Sequence, residues 1–549
     1  MDDGCRNGPL SRGCWNDGFS INTDFDVDWP DTGNVVQYTL DITNTTCSPD
    51  GGPERLCFLV NNQSPGPTIY ADWGDTLQIT VNNQLQHNGT SIHWHGIRQY
   101  LSNLDDGTNG ITECPIAPTD SKTYTFKCTQ FGTAWYHSHY SAQYGDGITG
   151  GLVINGPTTA NYDVDLGTYF ISDWYYDTAF QVEDQAADNL QNRAPAPPGD
   201  NILINGTNKN PDGGGAYDVV QLQQGYKYML RLINGAVDNN IRVSLDNHKL
   251  KVITNDLVPI VPFTTDWLLI AIGQRYEVII ETDQPIDNYW FRAEVANACA
   301  SGNKFYGRSI FRYDGAPDSD PTSIGTDAPG GCEDPQSEPY VPTEVPKEPF
   351  AEQLGYLMVD LAVEQVTTNQ ENIVVWAVNM TAIDIDWDKP TAQYVKEGNE
   401  SYPRTYNLIE VPRAAAWLYW IIQEVEGTPI PVPHPMHLHG HDFYILGTGT
   451  GTFDINTSID QLKFDNPPRR DVALLPGRGW MAIAFQSDNP GSWLLHCHIA
   501  WHISEGLGVQ FLESKEKMPL PDGEWERVCT NWETYFNDYS IYPKQDSGL

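Results

Sequence analysis

Ten of the thirteen histidines fall into four short clusters: His93 and His95; His137 and His139; His434, His437 and His439; and His496, His498 and His502. In a β-strand, residues i and i+2 face the same side, so each H-x-H pair is expected to aim two imidazoles at one point. One histidine alone is usually a hydrogen-bonded core or surface residue. Four such pairs in one chain point to metal. Neutral imidazole suits copper, zinc and iron, and eight nitrogens exceed the needs of one ion and suit a cluster of three.

Cys497, between His496 and His498, narrows the choice of metal. It should face the opposite side of its strand from its two neighbours. There it can meet His502, five residues on, and His434 from a separate segment. Two imidazoles and one thiolate are the ligands of a blue-copper electron-transfer site. The plain alternative is a buried structural cysteine or half of a disulfide. With Cys497 on one metal and its neighbours on another, the backbone offers a short covalent route between two sites. The remaining His87, His248 and His441 are assigned no metal.

Such pairs need strands to hold them. Tyr, Trp, Thr, Gly and Pro are plentiful and long helical patterns scarce, which favours an all-β protein of short strands and turns. The 549 residues are too many for one ordinary domain. IHWHG (Ile92 to Gly96) with GTAWYHSH (Gly132 to His139) is echoed by MHLHG (Met436 to Gly440) with GSWLLHCH (Gly491 to His498), which reads as a duplicated domain, one copy at each end. A Gly turn entering an alternating apolar strand recurs at Gly74 to Asn83, Gly273 to Asp283 and Gly477 to Asp488. The middle third therefore reads as the same fold without the histidines, giving three β-sandwich domains at 1–157, 158–340 and 341–549. Asp184 to Asp200 is expected to form a polar, Pro-rich loop, and Pro317 to Phe350 a linker.

The net charge of −41 would repel nucleic acid and anionic membrane surfaces, and no apolar stretch approaches the roughly 20 residues of a membrane span. Ten cysteines and seven N-x-S/T sequons, at Asn44, Asn62, Asn88, Asn205, Asn379, Asn399 and Asn456, favour a secreted glycoprotein. The chain is read as a mature form without a signal peptide. Cys5 with Cys14, and Cys47 with Cys57, are close enough to close small loops, but spacing alone leaves the connectivity open.

HWHG, WYHSH, HPMHLHGH and HCHIAWHISEGLG, in that order, resemble the multicopper oxidases, and among them the laccases of ascomycete fungi. The resemblance covers essentially the whole chain. It implies three consecutive cupredoxin-like Greek-key domains and four copper ions. By motif, His434, Cys497 and His502 correspond to type 1 ligands. His93 and His437 correspond to the type 2 pair, and His95, His137, His139, His439, His496 and His498 to type 3 ligands. It implies disulfides Cys5–Cys14, Cys114–Cys529 and Cys299–Cys332; by elimination Cys47–Cys57 would be a fourth, with Cys128 left free.

The resemblance also implies an activity: a monomer that oxidises small phenols or other aromatics at the type 1 site and reduces dioxygen to water. Leu507 takes the axial position, where it offers no donor atom; it equally fills core space. Asp106 matches an acid that delivers protons near the type 2 copper, and also reads as an Asp-Gly turn. Asp238 matches the carboxylate of the phenol pocket, and also reads as a surface-loop Asp. Trp501, Ile430 and Val432 flank type 1 ligands as pocket walls or as ordinary core, with His502 as the electron-accepting edge. The final Asp546, Ser547, Gly548 and Leu549 resemble a tail that plugs the solvent path to the cluster. Rival activities are oxidation of ferrous iron, ascorbate or bilirubin-like pigments. A non-catalytic blue-copper carrier would need only the type 1 ligands.

Overall fold

A computed structural model describes residues 6–16, 18–365, 372–411 and 415–549. One strand pattern is laid down three times. Each time it begins with a parallel pair: Val35–Cys47 beside Thr76–Asn83, Val164–Trp174 beside Lys227–Asn234, and Leu354–Gln365 beside Trp417–Glu424. An antiparallel strand closes the far side of each pair: Ser121–Lys127, Arg275–Glu281 and Gly479–Gln486. A second sheet packs against each first one, so the chain forms three two-sheet sandwiches of four and four, six and five, and six and five strands.

The residue patterns explain the layers. In Thr76–Asn83 the apolar Leu77, Ile79 and Val81 are buried and alternate with half-exposed polar residues, as a strand with one wet face requires. In Gly479–Gln486 seven successive residues are buried, because both faces are covered. An apolar cluster runs through all three sandwiches, joining Trp135 and Tyr144 to Phe170 and Val182 and to Leu495 and Trp501.

Two expectations need correction. The Gly-turn echo does not mark three equivalent strands. Arg275–Glu281 and Gly479–Gln486 are equivalent, but Thr76–Asn83 takes the place of Lys227–Asn234 and Trp417–Glu424, and Ser121–Lys127 is the true counterpart. Many core strands of such a sandwich leave a turn with alternating apolar residues, so a local pattern cannot tell neighbours apart. Nor is Asp184 to Asp200 all loop, since Ala179–Gln191 is a helix. Thr178 and Gln181 form a capping box at its start, and Val182, Ala186 and Leu190, four apart, bury one face. That stripe is hidden among polar neighbours.

Disulfides join Cys47 to Cys57, Cys114 to Cys529 and Cys299 to Cys332, while Cys128 and Cys497 are free and buried. The pairing of Cys5 with Cys14 lies outside the described residues, because Cys5 does.

Candidate metal centre

Two strand pairs, one from each outer sandwich, carry the histidines to a common point. His93–His95 runs antiparallel to Gly132–His137 with His93 opposite His137. His434–Leu438 runs antiparallel to Gly491–Cys497, with His437 opposite His496 and Met436 opposite Cys497. Of the four H-x-H pairs, only His93 and His95 lie together inside a strand. His139, His439 and His498 stand just past strand ends, where the chain turns.

This corrects the expectation that each pair serves a single point. Donor atoms within 4.8 Å of one another group His93 with His95 and His137, His93 with His437 and His439, and His139 with His439 and His496. His137 and His139 therefore fall in different groups of one cluster, whereas His93 and His95, and His437 and His439, each share one. His437 Nε2 is 3.5 Å from His93 Nε2, His439 Nε2 is 3.3 Å from His496 Nε2, and His498 Nε2 is 3.2 Å from His95 Nδ1.

The rings are presented as neutral ligands. Burial, then the crowding of the other rings, drives His95, His137, His139, His437, His439 and His498 well below the usual imidazole range. Burial takes His496 down to about 3. Nδ1–H donates to the Asp106 carbonyl from His93 (2.8 Å), to the Ser138 carbonyl from His137 (3.0 Å), to the Asp471 carbonyl from His437 (3.0 Å) and to the Cys497 carbonyl from His496 (2.9 Å). That fixes the tautomer and leaves Nε2 free as a ligand. His137 Nε2, His139 Nδ1 and His498 Nδ1 have no hydrogen-bond partner. Buried nitrogens left unpaired are costly unless something else satisfies them, and a cluster of copper ions fits this donor set.

Asp106 lies beside these histidines. It is buried, and its Oδ2 accepts from His439 Nδ1 (2.9 Å) and from Thr108 Oγ1 (2.7 Å). Its Oδ1 has no hydrogen-bond partner and lies 3.4 Å from His93 Nδ1. Gly107 makes the turn possible: its φ is +80°, and a Cβ there would lie 1.9 Å from the Ile92 carbonyl oxygen.

His434, Cys497 and His502 form a separate group. His434 Nδ1 is 3.1 Å from His502 Nδ1, and Cys497 Sγ is 3.5 Å from the same atom. His502 alone of the three is half-exposed. Burial pushes the Cys497 thiol up, so only a bound cation makes a thiolate there favourable. Leu507 is fully buried; its carbonyl accepts from Cys497 N–H (3.2 Å) and its N–H donates to the His502 carbonyl (2.9 Å).

Asp238 is half-buried, in a loop that leads to this group. Its N–H donates to Asp173 Oδ2 (2.9 Å), and the neighbouring Val237 carbonyl accepts from Ala500 N–H (2.9 Å) at the start of the helix Ala500–Ser504, which carries His502. Burial and then the charge of Asp173 raise the Asp238 carboxyl to about 8. Ile430 and Val432 are half-buried against the core that contains Cys497, and Trp501 is buried within it.

At the C-terminus, Ser547 N–H donates to the Ser504 carbonyl and Ser547 Oγ to the Ile503 carbonyl, both at 2.8 Å, while Trp387 Nε1 donates to the Gly548 carbonyl (3.0 Å). Asp546 Oδ1 accepts from Gly548 N–H (3.0 Å), and Leu549 ends in a cavity of about 10 Å³ lined by His137, His139, His496 and His498. Of the histidines given no metal, His87 is exposed, His248 bonds Tyr313 Oη (2.7 Å) and His441 faces Glu513 (3.1 Å).

Three residues escaped the sequence reading. Glu424 Oε1 takes His434 Nε2 (3.2 Å), which leaves Nδ1 for the metal. Asp471 lies 3.3 Å from His95 Nε2 and is gripped by both terminal nitrogens of Arg275 (2.7 and 2.6 Å). The Trp376 ring packs 4.4 Å from His502 and 5.1 Å from His434. The signal for Glu424 was one acid ending a largely apolar strand; Asp471 and Trp376 carry no motif.

Sequence profiles described as multicopper oxidase match residues 41–159, 165–316 and 374–517. The chain is 54% identical over 457 residues to Laccase-3 of Botryotinia fuckeliana, covering 81% of this chain and all of the relative. It is 44% identical over 573 residues to the laccase of Neurospora crassa, covering all of this chain and 89% of that one. The crystal structure of the laccase from Botrytis aclada superposes with a TM-score of 0.91 at 42% identity, covering 99% of this chain and 100% of that one. The all-β fold of three cupredoxin-like domains is thus the expected one, and the chain belongs to the multicopper oxidases, on their fungal laccase branch.

Proposed function

We propose that this laccase is a secreted monomeric glycoprotein that holds four copper ions, takes single electrons from small phenols or related aromatics, and reduces dioxygen to water. His434, Cys497 and His502 would hold the type 1 ion, His93 and His437 the type 2 ion, and His95, His137, His139, His439, His496 and His498 the two type 3 ions. Bound copper supplies one-electron transfer at the first site and dioxygen reduction at the cluster. The domains at 1–157 and 341–549 supply the cluster ligands, the latter also the type 1 ligands, and 158–340 contributes Asp238 to the substrate pocket.

The chain's own groups do the rest. A phenol (pKa about 10 for the tyrosine analogue) loses an electron more easily once its proton is gone. Asp238, raised to about 8, is a closer match to that proton than an ordinary carboxylate. His502 presents the half-exposed edge, Ile430 and Val432 wall the approach, and Trp501 packs beneath. Leu507, buried beside this group, would offer the type 1 ion no donor atom. Asp106, with one oxygen unpaired beside His93, passes protons to the cluster. Asp546, Ser547, Gly548 and Leu549 close the solvent side.

The observation that carries this reading is Cys497, 3.5 Å from His502 and joined through the backbone on either side to a histidine of the eight-imidazole cluster. The test is oxygen uptake by the copper-loaded protein with a methoxyphenol, ferrous iron and ascorbate, compared by kcat/KM, alongside a copper count. Preference for the phenol, four copper ions per chain and no released peroxide are expected. Preference for iron or ascorbate overturns the pocket assignment at Asp238.

A further inference from the structure

Beside the C-terminal tail, a cleft of about 770 Å³ opens between the helix Ala179–Gln191, the strand Asn372–Val378 and the tail from Tyr542 to Ser547. Its size falls within the range of small-molecule sites, about 300–1,000 Å³. Neither Asp238 nor any of the metal-centre histidines lines it. Seven acidic side chains and one lysine do. That lysine, Lys544, is already engaged by the Asp384 carboxylate and by the Asp546 carbonyl (2.7 Å).

Four of the acids are incompletely satisfied. Asp146 Oδ2, Glu183 Oε1, Glu505 Oε2 and Asp546 Oδ2 have no hydrogen-bond partner. Asp146 and Glu183 are only 1% and 8% exposed, so their oxygens cannot be left to bulk water. Arg55 accounts for the other oxygen of Asp146 (2.6 Å), and Gly548 N–H for the other oxygen of Asp546 (3.0 Å). Glu183 hydrogen-bonds the side chains of Asp546 and Ser504, and burial followed by the charge of Asp546 pushes its carboxyl well up; burial alone takes Glu505 to about 8. A positive charge in the cleft would favour the ionised forms of Glu183 and Glu505.

The walls are apolar and aromatic. Phe180, Val375 and Ile383 line the cleft, as do Tyr140 and Trp387, stacked 4.5 Å apart. Such faces favour a cation with an apolar body. A bare metal ion fits poorly. Among the described residues, every set of three or more His, Cys, Asp or Glu donors close enough to share an ion belongs to the two centres already described.

We propose that this cleft binds an organic cation, an ammonium group carried on an aromatic-sized apolar body, with Glu183, Glu505 and Asp546 taking the charge. One side of the ligand rests on the C-terminal tail, so occupancy braces the segment that ends at Leu549.

The test is titration calorimetry of the copper-loaded protein with 2-phenylethylammonium, 2-phenylethanol and phenylacetate, in about 0.15 M salt, where screening beyond about 8 Å suppresses diffuse attraction to an acidic protein. The ammonium should saturate one site per chain, with the alcohol and the carboxylate at least tenfold weaker. Glu183→Gln and Glu505→Gln should each weaken the ammonium at least fivefold; Glu505→Gln, at a half-exposed position, serves if Glu183→Gln does not fold. No saturable binding, equal binding of the alcohol, or unchanged affinity in the folded variants overturns the proposal. So does competitive inhibition of methoxyphenol oxidation by the ammonium, which would put it at the Asp238 pocket instead.

Discussion

The strands that carry histidines in the outer sandwiches have counterparts in the middle one. Ile241–Leu245 pairs antiparallel with Asn288–Val295, as His93–His95 pairs with Gly132–His137 and His434–Leu438 with Gly491–Cys497. The middle pair spells IRVSL and NYWFRAEV, without a histidine. Its inward residues build an ordinary core, in which Phe291 packs against Phe311 (5.5 Å) and Tyr169 (5.1 Å). The same topology therefore closes with or without metal ligands. The outer sandwiches place their ligands at and just beyond strand ends, where a side chain can be exchanged without dismantling the sheet.

If the outer strands carry the chemistry and the middle ones support, substitutions should divide accordingly. The largest effect on turnover is expected from Asp106→Asn. A positioned proton donor is worth about 100-fold or more. Stopped-flow kinetics should show reoxidation by dioxygen slowed by that factor while reduction of the type 1 site by a phenol is nearly unchanged. Equal loss in both half-reactions would make Asp106 a structural residue. Glu424→Gln comes next. Groups that orient a metal-bound imidazole typically contribute 10–100-fold in metal affinity or activity, so type 1 copper should be lost to a chelator about that much more readily, with the cluster copper retained.

Asp238→Asn tests the one functional contribution assigned to the middle domain. Raised to about 8, the Asp238 carboxyl is mostly protonated below that pH and becomes a base as pH rises through it. Wild-type kcat/KM for a phenol should climb toward about pH 8, and the variant should lose that climb while oxidising a non-phenolic electron donor as before. A smaller change follows from Leu507→Met. A sulfur donor in the axial position stabilises the oxidised ion, so a redox titration should find a lower type 1 potential; a rise would rule out Leu507 as the axial group. Last, Phe291→Ala should cost about 3–5 kcal/mol in stability, read by denaturant unfolding, and leave the copper count and kcat untouched. Lost copper would mean that the middle sandwich shapes the site as well as supporting it.

How much of this could be read beforehand follows from how each residue signals itself. The histidines were legible because paired spacing survives any loop rearrangement. Cys497 was legible because it sits between two of them. The three-fold repeat was visible, but its strand alignment was not, since Thr76–Asn83 and Ser121–Lys127 offer the same apolar alternation. Glu424 and Asp471 stayed hidden: each is a single acid whose partner lies 10 residues away or in another sandwich. The acid-lined cleft was equally invisible, because helix, strand and tail come together there only in three dimensions.

The bond between Cys114 and Cys529 spans 415 residues and ties the loop following His95 to the helix Gly523–Asp538 near the other end. A protease cutting the Pro-rich stretch from Arg193 to Pro198, where Arg193, Pro195 and Pro198 are exposed, would sever the peptide chain between His139 and His434, but not the molecule. The two fragments would migrate as one species until a reductant is added. More to the point, the two sets of cluster histidines would still meet at an effective concentration set by a tether rather than by dilution. A nicked enzyme could then lose and regain its copper as an intramolecular event, which a chain ordered only by its peptide bonds could not.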